Sequence, residues 1–351
     1  MAPAGTAPAP ARAPTRVLGL DAARGVAVVA MVIAHAVPFV SGRVPEAVAF
    51  LLLQVNDLAS PLFALVMGAA AGLVFPGPSA WRGTARAVVR GVALVLLGVG
   101  LERLDHWVAV ILHLLGLLLI VGTPLLVLGT RWLLGLAAVL FAAGPSVIEA
   151  VTRAAGGVAG GQAPTAAWAT NPLVQWLVLN AHYRVLTLLP IFLVGAVLAR
   201  RGLGDEQTSW WCLMGGLAMV WGSLALELLG MEVVFSGDHP DQLQETGLAL
   251  AAYGLVMATD IARRRRTSAG TPLQPLAVIG RVALSLYVAH VVLLVPVIPI
   301  FPEGGWLPFL FFVWVSVAGA WAWGRFVGRG PVEWLVDAVS PSRRPPVEVA
   351  A

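Results

Sequence analysis

The sequence predicts an all-α protein, a polytopic membrane bundle of about ten transmembrane helices with both termini in the cytoplasm. Three observations support this prediction. Hydrophobic residues make up 59% of the 351 residues and charged residues only 11%, against about 25% charged residues in a typical soluble domain. The apolar residues fall into stretches of about 20, the length that crosses a membrane. The arginines concentrate at alternate ends of these stretches. This composition excludes a cytosolic enzyme, a nucleic-acid-binding domain and a disordered protein.

Ten apolar stretches are long enough to be spans. They follow an Ala/Pro-rich tail, residues 1–15, that we expect to be disordered and not to be a cleavable signal. The predicted spans are 17–40, 47–75, 86–104, 107–129, 132–150, 183–200, 209–229, 243–262, 275–299 and 306–327. One long connection, 151–182, is expected to be an outer loop, and its part 172–181 a short interfacial helix.

The distribution of arginine predicts the orientation. All 22 basic residues are arginines. With the N-terminus inside, 16 of them lie in cytoplasmic segments, 4 lie outside, and Arg24 and Arg281 lie within spans. Because basic residues accumulate in cytoplasmic loops, this bias favours ten spans with both termini inside. The basic charge is therefore explained by topology rather than by nucleic-acid binding.

Ionisable side chains inside spans are costly and mark functional positions. At the cytoplasmic ends, Asp21 and Arg24 are spaced i,i+3 and are expected to pair, while Arg281 stands near the start of the ninth span. Each of these is also explained as a helix-end anchor that reaches the interface. The sequence therefore leaves both readings open at this end of the bundle.

A second group of ionisable residues lies toward the outer half. His35 and Asp57 belong to neighbouring antiparallel spans, so their side chains could approach one another. An aspartate beside a histidine fixes the imidazole tautomer and raises its basicity, as a general base requires. For His113 and His290, a hydrogen bond between packed helices is the alternative explanation. Asp57 is the hardest to explain structurally, because it has no cation nearby in the sequence.

Two stretches of the first half carry a family resemblance. They are RVLGLDAARGVAVVAMVIAHAVPF (Arg16–Phe39) and NDLASPLFALVMGAAAG (Asn56–Gly72). They resemble the opening helices of the heparan-α-glucosaminide N-acetyltransferase-like membrane proteins. The wider membrane acyltransferase superfamily shares the first helix that runs from an arginine to a histidine. The run ILHLLGL (Ile111–Leu117) departs from the pattern, with His113 and Leu114 where a Gln–Arg pair is common.

Two further stretches resemble another family. IGRVALSLYVAHVVLL (Ile279–Leu294) and GPVEWLVDAVS (Gly330–Ser340) are similar to the C-terminal half of the YeiB-like bacterial membrane proteins. That family usually has a basic residue shortly after its GPxEWL stretch, where this chain has Asp337. The resemblance implies a transmembrane acyltransferase-like domain over 16–329 and a cytoplasmic C-terminal segment over 330–351.

The resemblance implies transfer of an acyl group, typically acetyl, from cytoplasmic acyl-CoA to a sugar or another hydroxyl or amine acceptor outside the plasma membrane. Arg24 and Arg281, with Asp21, would hold the acyl-CoA, and His35 and Asp57 would be catalytic. Supporting or substrate contacts would come from His113, Tyr287 and His290. The 11 residues from Arg24 to His35 span about 16 Å of helix, comparable to an extended pantetheine arm. No sequence motif indicates a metal site, and Cys212 is the single cysteine, which excludes a cysteine cluster.

Two other functions remain open from the sequence. A transporter or exporter of a small polar or lipid-linked molecule would use Asp57 and the histidines as a proton relay. A non-catalytic membrane scaffold would bind a partner protein and no small molecule. Beyond the lipid bilayer and the small-molecule or glycan acceptor, the sequence names no partner, and it leaves the oligomeric state open.

Overall fold

The computed structural model describes residues 17–74, 80–265 and 272–339, with the backbone alone at 80–82. The tail 1–15 and the last part of the predicted C-terminal segment, 340–351, lie outside the described residues. Within the described ranges the chain forms helices and no strand. The prediction of an all-α fold is therefore confirmed.

Thirteen α-helices follow one another along the described chain. They are α1 (Leu18–Ala36), α2 (Glu46–Val74), α3 (Ala80–Leu101), α4 (Leu112–Leu125), α5 (Thr130–Ala154), α6 (Pro172–Val174), α7 (Val185–Arg201), α8 (Glu206–Leu228), α9 (His239–Arg265), α10 (Leu273–Arg281), α11 (Ala283–Ile300), α12 (Trp306–Ala322) and α13 (Pro331–Ala338). A 3-10 turn extends α1 through Val37–Val40, and π-helical turns follow α6 and α12.

Each of the ten predicted spans overlaps one of these helices, and the ninth is divided between α10 and α11. In the described part of the chain, seven helices are long and apolar enough to cross a membrane: α1, α2, α3, α5, α8, α11 and α12, with the turns that extend α1 and α12. A shorter apolar helix, α4, accompanies them. The protein is therefore a multi-pass membrane protein, while the count of ten and the orientation stay predictions.

The helices differ in how deeply they are buried. Of the most apolar 18 consecutive residues of each helix, 56% are buried inside the protein in α1 and 61% in α2, whereas only 17% are buried in α8. Contacts with α2, α9, α10, α11 and α12 surround α1. The first two helices therefore form the centre of the bundle, and α8 presents a wide apolar surface outward.

Glycines allow the central helices to approach closely. A methyl group at Gly68 of α2 would overlap the Phe192 carbonyl oxygen on α7, and one at Gly195 would overlap the Leu65 carbonyl oxygen. The small-residue run GAAAG, Gly68–Gly72, thus permits close helix packing at Gly68. Gly280 makes a similar approach to Asp21 between α10 and α1.

Two helix starts show different ways of satisfying the free backbone amides of a first turn. Asp205 precedes α8, and its carboxylate accepts hydrogen bonds from the amide and the hydroxyl of Thr208. These hydrogen bonds lower the pKa of Asp205. By contrast, α11 begins after Val282, whose side chain cannot accept a hydrogen bond, so its first turn depends on another part of the chain.

Candidate active site

A cavity of about 610 Å³ lies among the central helices, within the range of about 300–1,000 Å³ typical of ligand pockets. Most of its lining side chains are apolar, and Tyr287 of α11 is a buried polar side chain among them. The lining residues are Arg24, Phe63, Met67, Ala70, Ala71, Val74, Arg86, Ala87, Arg90, Leu94, Leu112, Leu115, Leu119, Gly280, Arg281, Ala283, Leu284, Tyr287, Glu333, Val336 and Asp337.

Arginines from three elements line the open end of this cavity, since Arg90 and Arg281 are exposed whereas Tyr287 is buried. Arg24 comes from α1, Arg86 and Arg90 from the start of α3, and Arg281 from the end of α10. Arg24 Nη1 donates to Asp21 Oδ1 at 3.2 Å, which confirms the expected i,i+3 pair. An apolar cavity with guanidinium groups at one end suits a long ligand whose charge is concentrated at one terminus, because guanidinium binds phosphate through paired hydrogen bonds.

The wall formed by α11 is held by α13. Glu333 Oε1 accepts hydrogen bonds from the backbone amides of Leu284 at 2.8 Å and Ser285 at 3.1 Å. Its other oxygen accepts from the Ser285 hydroxyl, which itself accepts from the Val332 amide at 3.0 Å. A carboxylate 48 residues away in the sequence thus caps the helix that carries Tyr287 and His290.

Beyond Tyr287, two histidines form a hydrogen-bonded pair. The distance from His35 Nδ1 on α1 to His290 Nε2 on α11 is 2.8 Å, and the rings stack with their centroids 5.0 Å apart. His290 is 1% exposed, and its Nδ1 lies 3.0 Å from the Leu286 carbonyl oxygen. This hydrogen-bonded pair of imidazoles joins α1 to α11.

The partners of these rings determine their neutral tautomers. The Leu286 carbonyl can only accept, so His290 Nδ1 carries the proton and His290 Nε2 is the acceptor. The proton between the rings must then belong to His35 Nδ1. His35 Nε2 is left with a lone pair, so a neutral His35 is held in the form that a general base requires.

Tyr287 connects the cavity to the histidine pair. Its ring lines the cavity and meets His290 edge-on with the centroids 5.3 Å apart. Its hydroxyl accepts a hydrogen bond from the Ile111 amide at 3.0 Å. Above the pair, Trp107 Nε1 donates to the His35 carbonyl oxygen at 3.1 Å. A ligand that fills the cavity as far as Tyr287 therefore ends next to the ring of His290.

Asp57 lies in a different environment from the one expected. Its carboxylate accepts from Asn56 Nδ2 at 3.1 Å, whereas the hydrogen-bond partner of the His35 ring is His290. One turn before Asp57, Gln54 accepts a hydrogen bond from Gln244 of α9, and Asp241 and Glu245 of α9 lie within electrostatic range of Asp57. The neighbour of the His35 ring is therefore His290 of α11, and Asp57 lies near other carboxylates instead.

His113 is fully buried but is not joined to the histidine pair by a hydrogen bond. Its ring packs 4.8 Å from the ring of Trp176, and its Nδ1 lies 3.4 Å from Glu102 Oε1 without hydrogen-bond geometry. Glu102 follows the end of α3. His113 thus lies beside the long connection 151–182 rather than at the cavity.

Several residues of the site were missed by sequence reasoning. Arg86 and Arg90 were explained as topology, and Glu333 as part of a family stretch, although all three line the cavity. Asp241 and Glu245, which face Asp57, received no role. The sequence signal for them was the run of acidic and amide side chains in the first turns of α9. In the structure, Gln242, Gln244 and Glu245 are buried and Asp241 is half-buried.

Comparison with known proteins gives one match. A family model described as an acyltransferase domain matches residues 17–325, which contain every helix of the bundle except α13. Neither the curated proteins nor the solved structures contain a match.

Proposed function

Because the chain belongs to the family of membrane proteins built on this acyltransferase domain, we propose that it moves an acyl group from acyl-CoA to a hydroxyl or amine acceptor. The observation that carries the proposal is the hydrogen-bonded order Leu286, His290, His35. It leaves His35 Nε2 with a lone pair, and the His35 ring is linked through His290 to Tyr287 of the cavity lining, a cavity whose opening is lined by arginines.

The donor is proposed to enter from the arginine-lined end. Arg24 and Arg281, joined by Arg86 and Arg90, would bind its phosphates, and Asp21 would orient Arg24. The pantetheine arm would lie along the apolar walls. The 11 residues from Arg24 to His35 correspond to about 16 Å, which brings the thioester to Tyr287 and the histidine pair.

In the proposed reaction, His35 Nε2 accepts the proton of the acceptor while the acceptor oxygen or nitrogen bonds to the thioester carbonyl carbon. The carbon–sulfur bond then breaks, and the departing thiolate takes the proton from the His35 imidazolium. His290 remains neutral and accepts from His35 Nδ1 throughout, so it orients the base.

Asp57 is proposed to act on the acceptor side. Tyr183 lies within electrostatic range of Asp57, Asp241 and Glu245, and Tyr287 lies within range of Tyr183. Tyr183 thus lies within electrostatic range both of these carboxylates and of Tyr287 at the cavity. This arrangement supports an acceptor that approaches from the end opposite the arginines and carries several hydrogen-bond donors, such as a sugar.

The finer assignments are proposals of the same kind. An acetyl donor, an outward-facing acceptor site, a plasma-membrane location and kinship with the heparan-α-glucosaminide N-acetyltransferase-like or YeiB-like branches rest on the stretches around His35, Asp57, His290 and Glu333. The alternative of a transporter with a relay through Asp57 is less favoured, because the partners of Asp57 are carboxylates and an amide rather than the histidine pair.

The test is acyl transfer from labelled acetyl-CoA by purified protein. His35→Ala is expected to lower the rate by roughly 10²- to 10⁴-fold, because it removes a positioned base, and Asp57→Asn is expected to weaken use of the acceptor. The exposed His182 provides a matched control, since His182→Ala should leave transfer unchanged. Full retention of transfer by both His35→Ala and Asp57→Asn would show that the proposal is wrong.

A further inference from the structure

The arginine-lined opening of the cavity also contains two carboxylates, Glu333 and Asp337, both from α13. A carboxylate at this position repels an anionic ligand, so each of the two needs a separate explanation. Glu333 is explained by its hydrogen bonds to the start of α11, which anchor α13. Asp337, one turn further along α13, makes no such bond.

Asp337 instead bridges two arginines. Its Oδ1 lies 3.3 Å from Arg90 Nη2 on α3, and its Oδ2 accepts from Arg329. The pair is exposed, since 42% of the Asp337 side chain and 47% of the Arg90 side chain remain accessible. An exposed ion pair of this kind contributes little free energy, so a stronger anion can replace it.

Arg90 belongs both to the ion pairs of Asp337 and to the lining of the cavity. It lies one helical turn after Arg86, and both side chains line the cavity opening. Val336, the neighbour of Asp337, lines it as well. While Asp337 is paired with Arg90, the last turn of α13 stays against the cavity opening. The positive charge of Arg90 is then already neutralised by a carboxylate.

We propose that Asp337 is an electrostatic latch on the donor cavity, and that a phosphate group of the acyl-CoA donor replaces Asp337 at Arg90. This inference rests on the proposed function. Arg329 retains Asp337 after the exchange, so the carboxylate is not left without a cation. Phosphate presents more acceptor oxygens and more charge than a carboxylate, and its charge-assisted hydrogen bonds to arginine are correspondingly stronger. Asp337 thereby sets the donor affinity and disfavours donors that lack a phosphate at this position.

The latch is tested by calorimetric binding of coenzyme A and of adenosine 3′,5′-bisphosphate to the full chain in detergent. Asp337→Asn is expected to bind both ligands about two- to fivefold more tightly, because it removes a weak competitor for Arg90. Arg90→Gln is expected to weaken binding. In the double variant Arg90→Gln/Asp337→Asn the gain should disappear, since coupled residues do not act additively.

Glu149→Gln is the matched control, because Glu149 forms an exposed ion pair with Arg153 on α5, away from the cavity. It should leave both affinities unchanged. Asp337→Ser also removes the carboxylate and should bind both ligands as tightly as Asp337→Asn. Agreement between the two variants shows that the gain comes from loss of the carboxylate and not from the new asparagine amide.

The outcomes separate the latch from the proposed function. If the wild-type protein binds coenzyme A and Asp337→Asn binds it equally or more weakly, the latch is wrong and the transferase proposal stands. The same conclusion follows if Asp337→Asn gains as much in the Arg90→Gln background. If the wild-type protein binds neither ligand, the proposed donor site and the latch are both wrong.

Discussion

At the scale of single residues, the site depends on which polar atoms meet in the interior of the bundle. His35 and His290 were both visible as ionisable residues in spans, but their sequence separation of 255 gave no reason to join them. Asp57, only 22 positions from His35 in the sequence, was the expected partner. The orientation of the α1 side chains toward α11 decides between these partners, and that orientation follows from packing over the whole bundle.

The role of His290 can be tested by removing the ring nitrogen, Nε2, that accepts the hydrogen bond from His35 Nδ1. His290→Phe keeps a ring but loses the acceptor for His35 Nδ1, so the His35 tautomer is no longer fixed. We expect kcat for acyl transfer to fall roughly 10²-fold with little change in KM for acyl-CoA. His290→Gln retains an acceptor and should recover part of kcat. Equal losses in both variants would indicate a packing role instead.

At the scale of elements, α11 illustrates a limit of reading helices from sequence. The apolar run 275–299 predicted one span, but the chain divides it at Val282 into α10 and α11. The break is stable because Glu333 supplies the acceptor that Val282 lacks. Gly330 belongs to this arrangement, since a methyl group there would overlap the Glu333 carboxylate. A cap from a distant element leaves no mark in the local sequence.

We therefore expect Glu333→Ala to destabilise the start of α11. Loss of the cap should cost about 1–2 kcal/mol, seen as a lower apparent melting temperature in detergent. Glu333→Gln keeps an oxygen acceptor and should restore most of the melting temperature. An unchanged melting temperature in Glu333→Ala would contradict the capping role.

At the scale of the whole molecule, the positions of the arginines connect topology with the site. Arg86, Arg90 and Arg281 stand where predicted spans begin or end on the cytoplasmic side, and the same residues line the cavity opening. If the predicted orientation holds, the donor cavity opens toward the compartment that contains acyl-CoA. The carboxylates on α2 and α9 then lie toward the other side.

This orientation can be measured by cysteine labelling in intact cells. In a Cys212→Ser background, Gln162→Cys in the predicted outer loop should react with a membrane-impermeant maleimide. Gly204→Cys, in the exposed turn between α7 and α8, should react only after the membrane is opened. Labelling of Gly204→Cys in intact cells, with Gln162→Cys protected, would reverse the orientation and place the cavity opening outside.

By itself, the sequence determined the fold class, the approximate positions of most helices, the Asp21–Arg24 pair and part of the set of ionisable residues from which the site is built. These features depend on local composition and on spacing along one helix, both of which can be read from the printed order of residues. Only the tertiary structure decided that His35 meets His290, that Asp57 faces α9, and that Glu333 and Asp337 reach the cavity. Each of these contacts joins helices far apart in the sequence, and helix rotation and glycine-permitted close packing, rather than local pattern, set which side chains meet.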